Sequence, residues 1–311
     1  MSLEPDLLAD RRRLKRRLTV WRVIAVLAVC AACLLAIGGS LVPELSSRHL
    51  MRLSVTGIIT EDRRLVQAVS ALATDASVPA LVVYIDSPGG SVAGGESLHD
   101  AIARVAERKP VVAVMGGTAA SAGYMVALPA ARIFARNATL TGSIGVLLET
   151  GEASGLLGKL GVTADAIVSG PLKDQPSFIK PLSPQGRGYL QALVMDMFDQ
   201  FVGMVAAGRH MDPAKVRDLA DGRAYTGRQA MQLGLVDEIG GEPEARRWLA
   251  QAHGISTELP IRDLHARSWA QRTFGATLGT GLSAFLKSVA TQGLTLDGAW
   301  ALWQPSRQMG E

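Results

Sequence analysis

Two stretches of the chain limit its fold more than anything else in it. Leu81-Val82-Val83-Tyr84-Ile85 and Pro110-Val111-Val112-Ala113-Val114-Met115 are unbroken apolar runs of strand length. A strand with one wet face alternates apolar and polar residues, whereas a strand covered on both faces need not. Each run ends in glycine, at Asp86-Ser87-Pro88-Gly89-Gly90 and at Gly116-Gly117-Thr118, and each gives way to a helical pattern. Residues 91–108 carry Leu98, Ile102 and Val105 on one helical face, and residues 119–128 read as a small-residue helix stopped by Pro129. Upstream, residues 50–59 read as a first strand, and 61–74 as a helix with Leu65, Val66, Val69 and Leu72 at helical spacing. Further on, 132–135 make a short strand and 184–208 a helix rich in Met and Val. Covered strands alternating with helices predict an α/β fold with a mostly parallel sheet.

The amino terminus is of another kind. Residues 23–42 contain no charge. Twenty helical residues at about 1.5 Å each span roughly 30 Å, the thickness of a bilayer core. Seven basic and three acidic side chains precede them, so residues 1–22 carry the whole formal net charge of +4. The positive-inside rule makes 1–22 a basic cytoplasmic segment and 23–42 a single transmembrane helix, with everything beyond on the extracytoplasmic side. A cleaved leader fits less well: its apolar core is usually about 7–15 residues, and Gly38-Gly39-Ser40 is a poor cleavage site. The rest of the chain balances 25 basic against 25 acidic residues, which removes the electrostatic footprint a nucleic-acid partner needs. Cys30 and Cys33 both lie in the span, so the body has no disulfide framework. Residues 43–49 read as a linker. From about 254 the pattern weakens, and 246–311 is expected to be a helical or mobile tail.

Within the body, one hydroxyl stands out. Gly116-Gly117-Thr118-Ala119-Ala120-Ser121-Ala122-Gly123-Tyr124 sets Ser121 near a helix start, among small residues only. Two readings are open. Ser121 is a helix N-cap, or it is a nucleophile whose developing oxyanion the same N–H groups would stabilise. None of His49, His99, His210, His253 and His265 lies in a turn at the end of a buried strand, so a Ser–His–Asp arrangement has no obvious histidine. A lysine can act instead if it is neutral, which burial favours. The candidates are Lys159, Lys173 and Lys180. Lys173 follows the apolar run Ala166-Ile167-Val168 in the segment Ser169-Gly170-Pro171-Leu172-Lys173. No cluster of metal-ligand residues is evident, and no cofactor is called for.

Five ordered motifs then resemble the signal peptide peptidase A family, in its short, single-repeat bacterial form. They are Ser87-Pro88-Gly89-Gly90; Thr118 to Tyr124; Thr141-Gly142-Ser143-Ile144-Gly145-Val146; Ser169 to Lys173; and Arg223-Ala224-Tyr225-Thr226-Gly227 with Gly234-Leu235-Val236-Asp237. The resemblance covers about 50–245, which becomes the expected protease domain. It implies a ClpP/crotonase-like fold of repeated β-β-α units preceded by one N-terminal transmembrane helix. It implies a Ser–Lys serine protease with Ser121 as nucleophile and Lys173 as general base. The backbone N–H groups of Gly89 and Ala122 would form the oxyanion hole. Where the family usually has glycine, this chain has Ala122, expected to narrow the cleft slightly. The Arg223 to Gly227 motif is expected to be structural. The family's substrates are peptide remnants of signal sequences and other hydrophobic peptides near the membrane. Its protomers form a homo-oligomeric ring, octameric in the short form, in which the lysine reaches a neighbour's serine. The implied location is the bacterial inner (cytoplasmic) membrane, facing the periplasm. Two other readings remain: an acyl-CoA hydratase or isomerase on the same fold, and a non-catalytic membrane scaffold.

Overall fold

A computed structural model describes residues 48–264, the strand at 300–302 and the single position Trp21. The expected transmembrane helix at 23–42 lies outside the described residues. The centre of the sheet is three parallel strands, β1 (Leu50–Ile59), β2 (Leu81–Ser91) and β3 (Val111–Ala120). Leu81, Val82, Val83 and Ile85 of β2 are fully buried, as are Val111, Val112 and Ala113 of β3, so both apolar runs are covered on two faces. Helix α1 (Arg63–Ala71) joins β1 to β2, with Asp62 accepting from the N–H groups of Arg64 and Leu65 at its start. Helix α2 (Val92–Ala106) joins β2 to β3, capped by Ser91.

Beyond β3 the sheet forks. After the short helix α3 (Ala122–Ala127), β4 (Arg132–Ala135) pairs with Val112, Ala113 and Val114. β5 (Leu140–Gly142) pairs with Thr118, Ala119 and Ala120, further along the same edge. The chain then leaves the sheet for about eighty residues. It forms α4 (Ser154–Lys159), the 26-residue α5 (Pro184–Arg209) and α6 (Pro213–Leu219). It returns as β6 (Ala224–Thr226), antiparallel to β5, then α7 (Gly227–Leu233) and β7 (Glu238–Ile239), which pairs with β4. Helix α8 (Glu242–His253) follows. β8 (Ile261–Asp263) adds in parallel to β1, and β9 (Trp300–Leu302) runs antiparallel to the end of β2.

The two sheet faces have separate cores. Leu53, Val55, Val83, Ile85, Ala113 and Met115 pack with α1, α2, α3 and the buried residues Phe201, Val202 and Val205 of α5. Leu50, Val82, Val112, Val114 and Phe134 face the other way, onto Ala245 and Leu249 of α8 and Ile255. The chain beyond residue 245 therefore begins inside a packed helix and contributes β8 and β9 to the sheet.

The glycine-rich segments are where the fold departs from the sequence reading. Both remain in the sheet. Ile58 and Ile59 of β1 pair with Gly89 and Gly90, and Thr118 pairs with Leu140. A Cβ on Gly90 would overlap the Ile59 carbonyl, so bare backbone lets β1 and β2 close together there. The Asp86 carboxylate accepts from the Thr118 N–H at 3.0 Å, and the hydroxyls of Thr139 and Thr141 donate to the carbonyls of Gly116 and Ala119, each at 2.7 Å. These bonds carry β3 through its glycines, and α3 starts at Ala122, three residues later than expected. Among the described residues, α5 is long and apolar enough to cross a membrane by length and composition, yet it supplies Phe201, Val202 and Val205 to the core.

Candidate active site

Ser121 sits between the end of β3 and the start of α3, with φ 55° and ψ −120°. That backbone is open to glycine and strained for a residue with a Cβ, at a cost of about 1–3 kcal/mol. The surroundings impose it. The Ser121 N–H donates to the Gly142 carbonyl at 2.8 Å, and its own carbonyl accepts from the N–H groups of Tyr124 and Met125 at 2.8 and 3.0 Å. Its side chain makes no capping bond, which removes the N-cap reading. The Oγ is buried and has no hydrogen-bond partner among the described residues. A buried hydroxyl left without a partner is itself costly. Strain and an unpaired donor on one residue are typical of a site kept ready for something else.

Helix α3 is held from below. Tyr124 is fully buried, and its hydroxyl donates to the Leu235 carbonyl at 2.7 Å. Burial raises its pKa well above the ordinary tyrosine range. Next to it, Arg209 at the end of α5 reaches the Gly234 carbonyl at 3.0 Å and grips both oxygens of Asp237, at 3.0 and 2.6 Å. Burial opposes the Arg209 charge most strongly, but Asp237 and Tyr124 together outweigh it and the net shift is upward. Asp237 also accepts from the Ile133 N–H at 2.8 Å. The Gly234 to Asp237 motif is thus the footing of the serine helix.

The Arg223 to Gly227 motif does similar work for the loop opposite. Tyr225 packs its ring on Gly142, whose φ of +77° and missing side chain both suit the contact. The Arg223 carbonyl accepts from the Ser143 N–H at 3.0 Å, and Thr226 with Gln229 forms the capping box of α7. Since Gly142 receives the Ser121 N–H, this strand fixes the serine's backbone at one remove. Ser143, with φ 48° and its side chain buried, is a second strained serine in the same turn. Sequence reasoning took it only as a motif member.

Of the expected oxyanion donors, Ala122 is the first residue of α3, so its N–H has no acceptor within the helix. Its methyl is fully buried against Gly95 of α2, where an added Cβ would come within 3.0 Å of it. The alanine fills a gap between helices, and the expected narrowing of the cleft does not follow from it. The Gly89 N–H donates to the buried Ser87 Oγ at 3.1 Å.

Lys173 makes no hydrogen bond to the Ser121 Oγ, which has no partner among the described residues. The lysine lies in an exposed turn, with its N–H bonded to the Gly170 carbonyl at 3.1 Å. The burial expected for a lysine base is not present in a single chain. Ile167 and Val168 before it are exposed as well. Lys180 is tied up: its ammonium lies 2.8 Å from Asp165 and 3.6 Å from Asp174. The Asp165 hydrogen bond raises its pKa, with Asp174 adding to the effect. Lys159 ends α4, a helix with no buried residue. Among the described residues no three His, Cys, Asp or Glu side chains gather as metal ligands. A cleft of about 630 Å³ lies between Arg52, Tyr84, Arg136 and Glu242, and none of Ser121, Lys173, Gly89 and Ala122 lines it.

The chain also resembles known protease families and proteins. The sequence profile of Peptidase family S49 matches residues 103–256, and that of Clp protease matches 50–147. A protein from Synechocystis sp. named as a protease is 42% identical over 213 residues, 68% of this chain and 76% of that one. A protein from Enterococcus faecium named as a signal peptide peptidase SppA is 35% identical, over 64% of this chain and 62% of that one. Protease 4 of Salmonella typhi is 38% identical over 55% of this chain, but only 28% of its own length is covered. The ClpP1 structure from Listeria monocytogenes overlays with a TM-score of 0.40 at 18% identity, covering 62% of this chain and 93% of that one.

Proposed function

The chain belongs to peptidase family S49, and from that premise we propose that it is a membrane-anchored serine endopeptidase using a Ser121–Lys173 dyad. The observation that carries the reading is the strained, buried and unpartnered hydroxyl of Ser121 at the head of a firmly footed helix. Lys173, as general base, takes the proton from Ser121 Oγ as the oxygen attacks a peptide carbonyl. The negative charge moves to the carbonyl oxygen, which the N–H groups of Ala122 and Gly89 receive. An anionic acceptor makes a stronger hydrogen bond than the neutral Ser87 hydroxyl, so Gly89 exchanges one for the other. Each such donor is worth about 100–1000-fold in rate. The tetrahedral intermediate collapses, the amine leaves with the proton that Lys173 returns, and water releases the acyl group by the same steps.

On this reading the dyad is completed between copies in a ring, with eight the number the resemblance implies; the exposed Lys173 and the unpartnered Ser121 Oγ support it. In support, Leu156, Leu160, Ile167 and Phe178 around the lysine turn are exposed, as are Leu193 and Met195 on α5. Exposed apolar side chains in such numbers suit a covered surface. The substrates are extended hydrophobic peptides near the bilayer, signal-peptide remnants among them. In support, the end of β2 takes a strand in antiparallel pairing, from Gly89 opposite Leu302 to Ser91 opposite Trp300. The anchor is the apolar stretch 23–42, which puts the site on the extracytoplasmic side. A serine-reactive fluorophosphonate and a hydrophobic peptide substrate test the reading. Ser121→Ala and Lys173→Ala should each lose hydrolysis while assembly persists, and co-expressing the two should restore part of it. Wild-type hydrolysis by Lys173→Ala would sink the dyad.

A further inference from the structure

Lys173 stands at the head of a tripeptide whose other two residues are both anchored. Asp174 lies 3.6 Å from the Lys180 ammonium, which Asp165 holds from the other side. Gln175 reaches across to the start of α5. Its Oε1 accepts from the Ser183 N–H at 3.1 Å and from the Ser183 hydroxyl at 3.4 Å. Ser183 in turn caps α5, accepting from the Gly186 N–H at 2.9 Å. The Gln175 side chain lies directly over Gly186, where an added Cβ would overlap Oε1 and come within 2.9 Å of Cγ. An alanine there would have to push the Gln175 side chain aside.

The far end of α5 is tied to the serine. Arg209 holds Gly234 and Asp237, and Gly208 packs so closely on Leu128, at the end of α3, that an added Cβ would come within 3.0 Å of it. One stiff helix therefore has the lysine turn at its first residues and the footing of the nucleophile's helix at its last.

We propose that Gln175 is a positioning residue for the peptidase reaction, holding the Lys173 turn in register with the N-terminus of α5. This rests on the reading of Lys173 as the base. Gln175 touches no substrate and acts only through the lysine. A misplacement of about 1 Å can cost about 100-fold in rate, so loss of the anchor shows in kcat and leaves KM nearly unchanged.

The test compares Gln175→Met, Gln175→Glu, Gly186→Ala and Lys173→Ala in the full chain. Peptide hydrolysis and the rate of fluorophosphonate labelling are followed, and assembly is checked by size-exclusion chromatography. Gln175→Met keeps the length but loses the acceptor, and should lower kcat by about 10–100-fold with KM within about twofold. Gln175→Glu keeps an acceptor oxygen and should retain most of the rate. Gly186→Ala pushes Gln175 away and should resemble Gln175→Met. In a Lys173→Ala background, Gln175→Met should slow labelling no further, since its effect passes through the lysine. Wild-type kcat in both Gln175→Met and Gly186→Ala would overturn the proposal. So would an equal loss with and without Lys173. Failure of the base assignment has its own signature, Lys173→Ala hydrolysing at the wild-type rate, and would remove the premise.

Discussion

Ser121 is placed to be a burden on the fold, and that burden can be measured. Its φ of 55° costs about 1–3 kcal/mol for a residue with a Cβ. Its unpartnered buried hydroxyl adds a second cost of about 1–3 kcal/mol. Ser121→Ala removes only the second. Ser121→Gly removes both, but gives the unfolded chain extra freedom worth about 0.5–1 kcal/mol. The difference between the two variants isolates the backbone: glycine should be the more stable by about 1 kcal/mol. For a folded body of this size that is a rise of roughly 2–4 °C in midpoint temperature. Both variants should also be more stable than wild type. Neither can cleave itself if Ser121 is the nucleophile, so proteolysis does not confuse the comparison. Urea and thermal unfolding followed by circular dichroism in detergent provide the assay. If Ser121→Gly proves less stable than Ser121→Ala, the backbone at 121 is not strained, and the case for a stored active-site conformation falls.

Two further outcomes follow from the footing of α3. Asp237→Ala leaves the Arg209 guanidinium, whose side chain is 8% exposed, without its carboxylate, and should cost about 3 kcal/mol in urea unfolding. The apolar pair Arg209→Met with Asp237→Leu should cost less than that single change, and a larger loss would show that the ion pair is needed for more than neutrality. For Tyr124, burial raises the phenol pKa above its ordinary value of 10.0, so the folded state holds the proton more firmly than the unfolded one. Stability from this group is level below pH 10 and declines as pH climbs past it. Tyr124→Phe should lose about 1 kcal/mol at neutral pH, with the Leu235 carbonyl unpaired, and its stability should fall less steeply in alkali. Equal alkaline slopes in the two proteins would show that another group is responsible.

The central strands were legible because an apolar run covered on both faces leaves a local pattern, and Leu81 to Ile85 is such a run. The glycines after it were misread because they are punctuation only when nothing else holds the backbone. Around Gly116 and Gly117 of β3, the side chains of Asp86, Thr139 and Thr141 and, from Thr118 on, the ladder to β5 hold it. Ser121 was found as a small-residue anomaly, yet its dihedral angles depend on Gly142, twenty-one residues away in sequence. Arg209 with Asp237 and Gln175 with Ser183 left no signal at all, since neither pair is spaced for a helix or a strand. The exposure of Lys173 was equally out of reach, because a short apolar run such as Ala166-Ile167-Val168 reads the same whether its own chain or another molecule covers it.

The long excursion between β5 and β6 leaves and re-enters the sheet at one spot. Gly142 lies opposite Ala224, and the Ser143 N–H meets the Arg223 carbonyl at 3.0 Å. Its two ends are stapled, so its middle can change length without moving a strand. A loop that is already closed adds little entropy when extended. Insertions or deletions around Leu160 or Ile167 would leave the serine and its footing as they are. They would alter only how far the lysine turn projects. In the history of such a chain, the serine can stay fixed while the reach of the lysine turn is retuned.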